Sequence, residues 1–140
     1  NINAERLAIL GMYHDVTEII TGDLPTPVKY YNPVIRNAYN DVEKEAKDQL
    51  LAGIPEEMQS VYAPLLLDTE EERELWKYVK AADKISAYIK CIEEGRMGNR
   101  DFEKAGESIK DIINDMGMDE VDFFMEKFIP AYMITLDETR

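Results

Sequence analysis

The residues with the clearest chemical potential lie between Met12 and Lys29, a run that contains the only histidine of the 140-residue chain, three carboxylates and two prolines. On an α-helix His14 and Glu18 are four residues apart, and Asp15 and Glu18 are three apart, so their side chains share one face. Imidazole nitrogens and carboxylate oxygens together suit divalent ions such as Mn²⁺, Co²⁺, Fe²⁺ or Zn²⁺. This run therefore predicts a divalent-metal site.

A further carboxylate, Asp83, falls in the middle of a long predicted helix, beside the apolar stripe of that helix. A carboxylate there costs stability unless it is paired, hydrogen-bonded or coordinated. Lysines three residues before it and one residue after it offer ordinary ion pairs. Ordinary roles also exist for His14 as a structural histidine, for Glu18 as a helix-surface residue and for Asp23 as a turn residue. The residue types alone leave both interpretations open.

Charge and composition exclude several classes of protein. The formal net charge is −13, from 16 basic and 29 acidic residues, so we expect neither a nucleic-acid polymer nor a membrane surface as a partner. The single cysteine, Cys91, excludes an internal disulfide and cysteine-rich zinc sites. No apolar run approaches the roughly 20 residues of a bilayer span. The chain is expected to be soluble and cytoplasmic.

The elements that must position the site are predicted to be helices. Asn3 is a suitable N-cap for a first helix whose apolar spacing continues to Ile20, and Gly22 is expected to end it. The two prolines that follow keep residues 23–27 from being helical throughout, because they remove amide donors and favour extended neighbours. A stiff loop is therefore expected directly after the His14 helix.

The rest of the chain also shows helical periodicity and no strand-like alternation. Asn32 and Pro33 form a cap and first-turn pair, Pro64 predicts a kink or stop, and Thr69 with Glu72 fits a capping box. The remaining predicted helices cover residues 32–53, 55–65, 69–97, 102–116 and 119–129. In the first of these the expected buried stripe is Val34, Ile35, Ala38, Val42, Ala46 and Leu50. We predict one all-α domain over residues 1–140, a bundle of about six helices.

An adjacent His14-Asp15 pair followed by a distant helical aspartate resembles the pattern of the HD-domain metal-dependent phosphohydrolases. The longer run from Tyr13 to Tyr30, YHDVTEIITGDLPTPVKY, is more specific and resembles the signature of bacterial 5′-deoxynucleotidases of the YfbR type. Further similar segments, spread over nearly the whole chain, are Asn3-Ala4-Glu5-Arg6, Lys80-Ala81-Ala82-Asp83, Ala87-Tyr88-Ile89-Lys90-Cys91 and Asp122-Phe123-Phe124-Met125-Glu126.

The resemblance implies hydrolysis of 2′-deoxyribonucleoside 5′-monophosphates to deoxynucleoside and phosphate, with one divalent metal ion such as Co²⁺ or Mn²⁺. It implies that His14, Asp15 and Asp83 are three of four protein ligands. The family's remaining ligand is an upstream histidine, and the thirteen residues before His14 contain none. We therefore expect that the family's N-terminal helices are missing from this chain, which would be inactive without that ligand. A short, impaired relative is the other interpretation.

The resemblance also implies that Glu18 and Asp23 are the catalytic acid and base, without deciding which is which. A homodimer is expected from the same likeness. The substrate-binding residues that it implies are Asp15, Asp23, Leu24, Pro25, Thr26 and Asp83. Two alternatives remain: an HD phosphohydrolase for a different nucleotide, and a non-catalytic acidic helical interaction module.

Overall fold

The structure is a computed structural model that describes residues 2–29, 31–67 and 69–134, with only the backbone at positions 26, 27 and 71. Tyr30 of the signature run lies outside the described residues. In these ranges the chain forms α-helices and two 3₁₀ turns and no β-strand, which confirms the all-α prediction. The helices are α1 Ala4–Tyr13, α2 Glu18–Thr21, α3 Thr26–Lys29, α4 Pro33–Ala52, α5 Glu56–Leu66, α6 Arg73–Arg96, α7 Glu103–Asn114, α8 Asp119–Lys127 and α9 Ile129–Met133. Six of those described have nine or more residues.

The first helix starts as predicted but ends early. The Asn3 side chain accepts a hydrogen bond from the Arg6 amide at 3.0 Å, which satisfies a free donor of the first turn. α1 ends at Tyr13, so the expected continuous helix to Ile20 is wrong. Instead Val16 N bonds to Tyr13 O at 3.1 Å and Glu18 N to Asp15 O at 2.9 Å, the i→i+3 pattern of a tighter 3₁₀-type turn.

The loop after α2 is shorter than predicted. Gly22 ends α2 with φ 70° and ψ 158°, a conformation that is essentially restricted to glycine. Residues 22–25 are non-helical, which agrees with the expected loop, but α3 already begins at Thr26. Pro27 is compatible with this helix because residues of a first turn need no amide donor.

Helix α4 has the predicted start and a different buried face. Asn32 Oδ1 accepts from Ile35 N at 2.8 Å, which confirms the cap. The buried residues are Tyr39 and Ala46. The predicted buried stripe is wrong at three positions, where the side chains are exposed, and Val34 is one of them at 75% exposed. Helices α2, α3 and α5 all pack on α4. The face of α4 that they bury is shifted by one residue from the predicted apolar stripe.

The start of α6 also differs from its prediction. The predicted capping box is wrong, because the Thr69 side chain makes no capping hydrogen bond and Glu70–Glu72 forms a 3₁₀ turn before α6. Glu72 instead forms an ion pair with Arg6 of α1. Upstream, α5 continues two residues beyond Pro64 before it ends.

The chain divides into two compact units, residues 1–76 and 77–140. In the second unit a buried hydrophobic cluster joins α6, α7, α8 and α9, and consists of Ala81, Ile85, Tyr88, Ile113, Val121 and Ile129. In the first unit the buried apolar residues are Leu10, Tyr39, Ala46, Leu65 and Leu66. Among the described residues, no helix combines the length and apolar character that crossing a bilayer requires.

Candidate metal centre

His14 follows the last residue of α1, and its ring is oriented by that helix. Nδ1 lies 2.6 Å from the carbonyl oxygen of Gly11. Since a carbonyl only accepts, Nδ1 carries the hydrogen, and the bond satisfies a carbonyl in the last turn of α1. The other ring nitrogen, Nε2, is buried and is the atom of this ring that can bind a metal ion. Metal-bound histidines use this arrangement, with one nitrogen donating to a carbonyl and the other bound to the metal.

Asp15 places a carboxylate oxygen against that nitrogen. Asp15 Oδ2 lies 2.8 Å from His14 Nε2, and the Asp15 side chain is 56% exposed. A cation about 2.1 Å from each of two donors, with a bond angle near 90°, would hold the donors about 3 Å apart. The separation of these two atoms therefore fits two neighbouring ligands of one ion. The donor set, imidazole and carboxylate, suits the divalent ions expected from the sequence.

Glu18 shares the acidic environment of Asp15. In a 3₁₀-type turn side chains at i and i+3 eclipse, so Asp15 and Glu18 lie on the same side. The pKa of Glu18 is raised, first by burial and then by the negative charges of Asp15 and Asp23, with Lys29 and His14 acting in the opposite direction. The three carboxylates therefore create a negative potential that a divalent cation would relieve.

Asp23 lies in the loop that separates α2 from α3. Asp23 and Pro25 are exposed and therefore accessible to a ligand, whereas Leu24 is half-buried. The loop turns into α3 through Pro25 O, which accepts from Val28 N at 2.8 Å and from Lys29 N at 3.1 Å. The Thr26 side chain, which the resemblance assigns to the substrate, lies outside the described part of the structure.

Lys29, the last residue of α3, contacts two residues of α4. Its Nζ lies 2.9 Å from Glu43 Oε1 and 4.4 Å from the centre of the Tyr39 ring. Tyr39 and Glu43 were not identified from the sequence, although their four-residue spacing places them on one face of α4. That spacing was the signal in the sequence from which the two residues could have been identified. The neighbouring stripe of α4 is more apolar, and it was predicted to be the buried face instead.

Asp83 belongs to the second unit and lies in α6. Its side chain is partly exposed and its Oδ2 lies 3.1 Å from Lys84 Nζ, so one of the two lysines expected as a partner does pair with it. This ion pair reduces the cost of a carboxylate beside the apolar stripe. The assignment of Asp83 as a metal ligand stays a prediction.

Comparison with known proteins identifies the family. The family model described as 5′-deoxynucleotidase YfbR-like matches residues 1–132. The chain belongs to the YfbR-like 5′-deoxynucleotidase family. A 5′-deoxynucleotidase of Photorhabdus laumondii is 45% identical over 138 residues, which cover 99% of this chain and 70% of that protein. The 5′-deoxynucleotidases of Cronobacter sakazakii and Escherichia coli O1:K1 are each 45% identical over 141 residues, covering 99% of this chain and 69% of theirs.

Membership of the YfbR-like family confirms the resemblance seen in the signature run. It agrees with the all-α architecture of the described residues and with a hydrolase that uses a divalent metal ion. The fit of His14 and Asp15 to such an ion is an independent observation, because it depends on the atoms of the chain and not on the match.

Proposed function

We propose that the function of this chain is the 5′-deoxynucleotidase reaction, the hydrolysis of 2′-deoxyribonucleoside 5′-monophosphates to deoxynucleoside and phosphate, with the nitrogen ligand that these 140 residues lack supplied from elsewhere. The family match over residues 1–132 supports the substrate class. The observation that carries the metal dependence is the His14 ring, with Nδ1 bonded to Gly11 O and Nε2 beside Asp15 Oδ2. A histidine held in this orientation presents Nε2 to a cation while its other ring nitrogen donates to a carbonyl oxygen.

We propose His14, Asp15 and Asp83 as the metal ligands. The 140 residues contain one histidine, so a second histidine ligand of the kind found in the family is not among them. When bound, a divalent cation lowers the pKa of a coordinated water and polarises a phosphoryl oxygen. Without such a cation, each carboxylate would repel a phosphate charge about 4 Å away by about 4 kcal/mol at an effective dielectric constant of 20.

We assign proton transfer to Glu18 and Asp23. The raised pKa of Glu18 suits a proton-transfer group, because a carboxyl with a raised pKa retains a proton to a higher pH than an ordinary glutamate does. Asp23, in the exposed loop, is the other proton-transfer residue, and the two serve as the acid and the base of the reaction. The proposed substrate contacts are Asp15, Asp23, Leu24, Pro25, Thr26 and Asp83.

The organisation of the protein is also proposed from the resemblance. We propose that residues 1–140 act as one HD domain, that the protein is a cytoplasmic homodimer and that Co²⁺ or Mn²⁺ supports activity. Analytical ultracentrifugation of the protein tests the dimer, and a monomer at micromolar concentration would contradict it.

Phosphate release tests the substrate class. We expect dAMP and dTMP to be hydrolysed faster than the matching ribonucleotides in the presence of Co²⁺ or Mn²⁺, and hydrolysis to stop with a chelator. Added imidazole, which supplies a further nitrogen donor, should increase the rate. Equal rates on ribo and deoxy substrates would contradict the assignment, and release from other nucleotides alone would favour the alternative HD phosphohydrolase. Absence of both metal binding and hydrolysis would favour the non-catalytic module, which keeps the fold and has lost the metal.

Two substitutions separate metal binding from proton transfer. Glu18→Ala should retain metal binding and lose turnover by about 100-fold or more, the scale of general acid–base catalysis. Asp83→Ala should lose the metal, as measured by calorimetry. Glu45→Ala and Asp111→Ala, which remove exposed carboxylates of α4 and α7, serve as controls. Loss of metal by Glu18→Ala, with retention by Asp83→Ala, would overturn both assignments.

A further inference from the structure

We propose that Tyr39 and Glu43 of α4 are positioning residues that fix both ends of the segment 22–29 and so hold Asp23 for proton transfer. This inference rests on the proposed function, because it assigns Asp23 a part in the reaction. Neither residue was identified from the sequence, and neither is among the proposed ligands or proton-transfer groups. Their role follows from four contacts within the first unit.

Tyr39 holds the first end of the segment. Its hydroxyl donates to the Gly22 carbonyl oxygen at 3.2 Å, and Thr21 Oγ1 donates to the same oxygen at 3.0 Å. The Thr21 and Tyr39 hydroxyl oxygens are themselves 3.3 Å apart. Because Gly22 directly precedes Asp23 and has a conformation that only glycine adopts readily, these bonds fix the peptide from which Asp23 projects. Tyr39 is 7% exposed, so packing immobilises the donor.

Glu43 and the same tyrosine hold the other end. Lys29 Nζ forms its ion pair with Glu43 at 2.9 Å while lying 4.4 Å from the centre of the Tyr39 ring. The Lys29 and Glu43 side chains are about one-quarter exposed, so this pair is less screened than a surface pair. One face of α4, one turn in length, therefore contacts both ends of an eight-residue segment.

The position of Asp23 depends on these contacts because residues 22–25 lack helical structure and Asp23 itself is exposed. Proton transfer requires a separation of about 3 Å between the two heavy atoms. A displacement of about 1 Å in a catalytic group can cost about 100-fold in rate. The contacts made by Tyr39 and Glu43 reduce the conformational freedom of the segment before the substrate binds. The conformational entropy of ordering the segment is therefore lost on folding and not on substrate binding.

The test compares Tyr39→Phe, which removes one hydroxyl and keeps the ring over Lys29, with Glu43→Gln, which removes one charge. We expect each variant to lower kcat for dAMP by about 10-fold, within the 10-fold to 100-fold range of supporting groups around metal sites. KM and the Kd for Mn²⁺ should remain within about twofold of wild type. The double variant Lys29→Met/Glu43→Gln should lose no more activity than Lys29→Met alone, because both substitutions remove the same ion pair.

Matched controls remove the same groups elsewhere in the first unit. Tyr62→Phe removes a hydroxyl from a half-buried ring of α5 that contacts the Tyr13 ring edge to face, and Glu45→Gln removes an exposed charge of α4. Both should retain the kcat of wild type. Unchanged kcat in Tyr39→Phe and Glu43→Gln, with only a lower melting temperature, would overturn the proposal by showing a purely structural role.

Hydrogen exchange separates this inference from the proposed function. In wild type without substrate, the amides of Gly22, Asp23 and Leu24 should exchange about 10-fold more slowly than in Tyr39→Phe. If wild type hydrolyses no deoxynucleotide, the proposed function fails, and faster exchange in Tyr39→Phe still supports the fixed segment. If exchange is the same in both proteins, the inference fails whatever the activity.

Discussion

The two compact units are stabilised by different kinds of contact. The second unit has a continuous hydrophobic cluster, with Ile113 fully buried in it. In the first unit, long-range polar contacts are partly buried: Tyr39 with Gly22, Lys29 with Glu43, and Arg6 with Glu72. The second unit also has long-range polar contacts, but Tyr78 with Glu120 and Arg96 with Tyr132 are exposed. Hydrophobic burial is non-directional, whereas hydrogen bonds fix atoms in place. The comparison indicates that partly buried polar contacts lie in the unit that contains His14, Asp15, Glu18 and Asp23, where the proposed chemistry needs defined positions.

The largest expected effect comes from truncating the most buried side chain of each unit. Leu10 and Ile113 are both 0% exposed, so Leu10→Ala and Ile113→Ala should each lower the free energy of unfolding by about 2–5 kcal/mol. Only Leu10→Ala should also weaken Mn²⁺ binding, because Leu10 precedes the Gly11 carbonyl that orients His14. Chemical denaturation and calorimetry, at a temperature where both variants are folded, measure the two effects. Equal weakening of Mn²⁺ binding by Ile113→Ala would break the comparison.

An intermediate effect is expected from the ion pair between Arg6 and Glu72. The second carboxylate oxygen of Glu72 is buried and has no hydrogen-bond partner among the described residues. Arg6→Met should therefore lower the free energy of unfolding by about 2 kcal/mol, because it leaves a mostly buried charge uncompensated. The double variant Arg6→Met/Glu72→Met should regain most of that loss, as measured by urea denaturation.

The matched control for this pair is in the second unit. Lys90 and Glu94 form an ion pair at 2.8 Å on α6, in which the Lys90 side chain is 60% exposed and Lys90 lowers the pKa of Glu94 by a hydrogen bond. Lys90→Met should raise that pKa and lower the melting temperature less than Arg6→Met does, because Lys90 is exposed and Asn99 still donates to Glu94. A loss of stability as large as that of Arg6→Met would show that the two units do not differ in this respect.

The smallest expected effect is on the titration of Glu18 in the metal-free protein. Its pKa should lie above that of an ordinary glutamate, and Asp23→Asn should lower it by removing a neighbouring negative charge. Added Zn²⁺ should lower it further. Since the folded protein binds the proton more tightly than the unfolded chain, Glu18 contributes stability at low pH that is lost as the pH rises through this raised pKa. Glu18→Gln should therefore slightly raise the melting temperature at neutral pH.

Carbon-detected NMR of the Glu18 carboxylate measures that titration, and calorimetric melting of Glu18→Gln measures the stability. Glu45→Gln, which removes an exposed carboxylate of α4, is the control and should leave the melting temperature unchanged. An ordinary or lowered pKa for Glu18 without metal would contradict the acidic environment proposed for the first unit.

Much of the fold was predictable because helix ends depend on neighbouring residues. The caps at Asn3 and Asn32 and the stop at Gly22 follow from side chains and backbone freedom within one turn. The all-α class follows from apolar periodicity along the chain. For the candidate site, the adjacency of His14 and Asp15 and the signature run around them were sufficient to indicate a metal-dependent phosphohydrolase.

Tertiary structure decided the features that depend on distant residues. The helices packed on α4 determined which of its faces is buried, so Tyr39 is buried and the predicted apolar stripe is partly exposed. Arg6 forms an ion pair with Glu72, 66 residues away in the sequence, and Lys29 forms one with Glu43, fourteen residues away. No local pattern specifies such partners, because the free energy of a buried polar contact depends on what desolvates it. The sequence by itself therefore determined the ligand types and the starts of α1 and α4, and the tertiary structure determined what orients them.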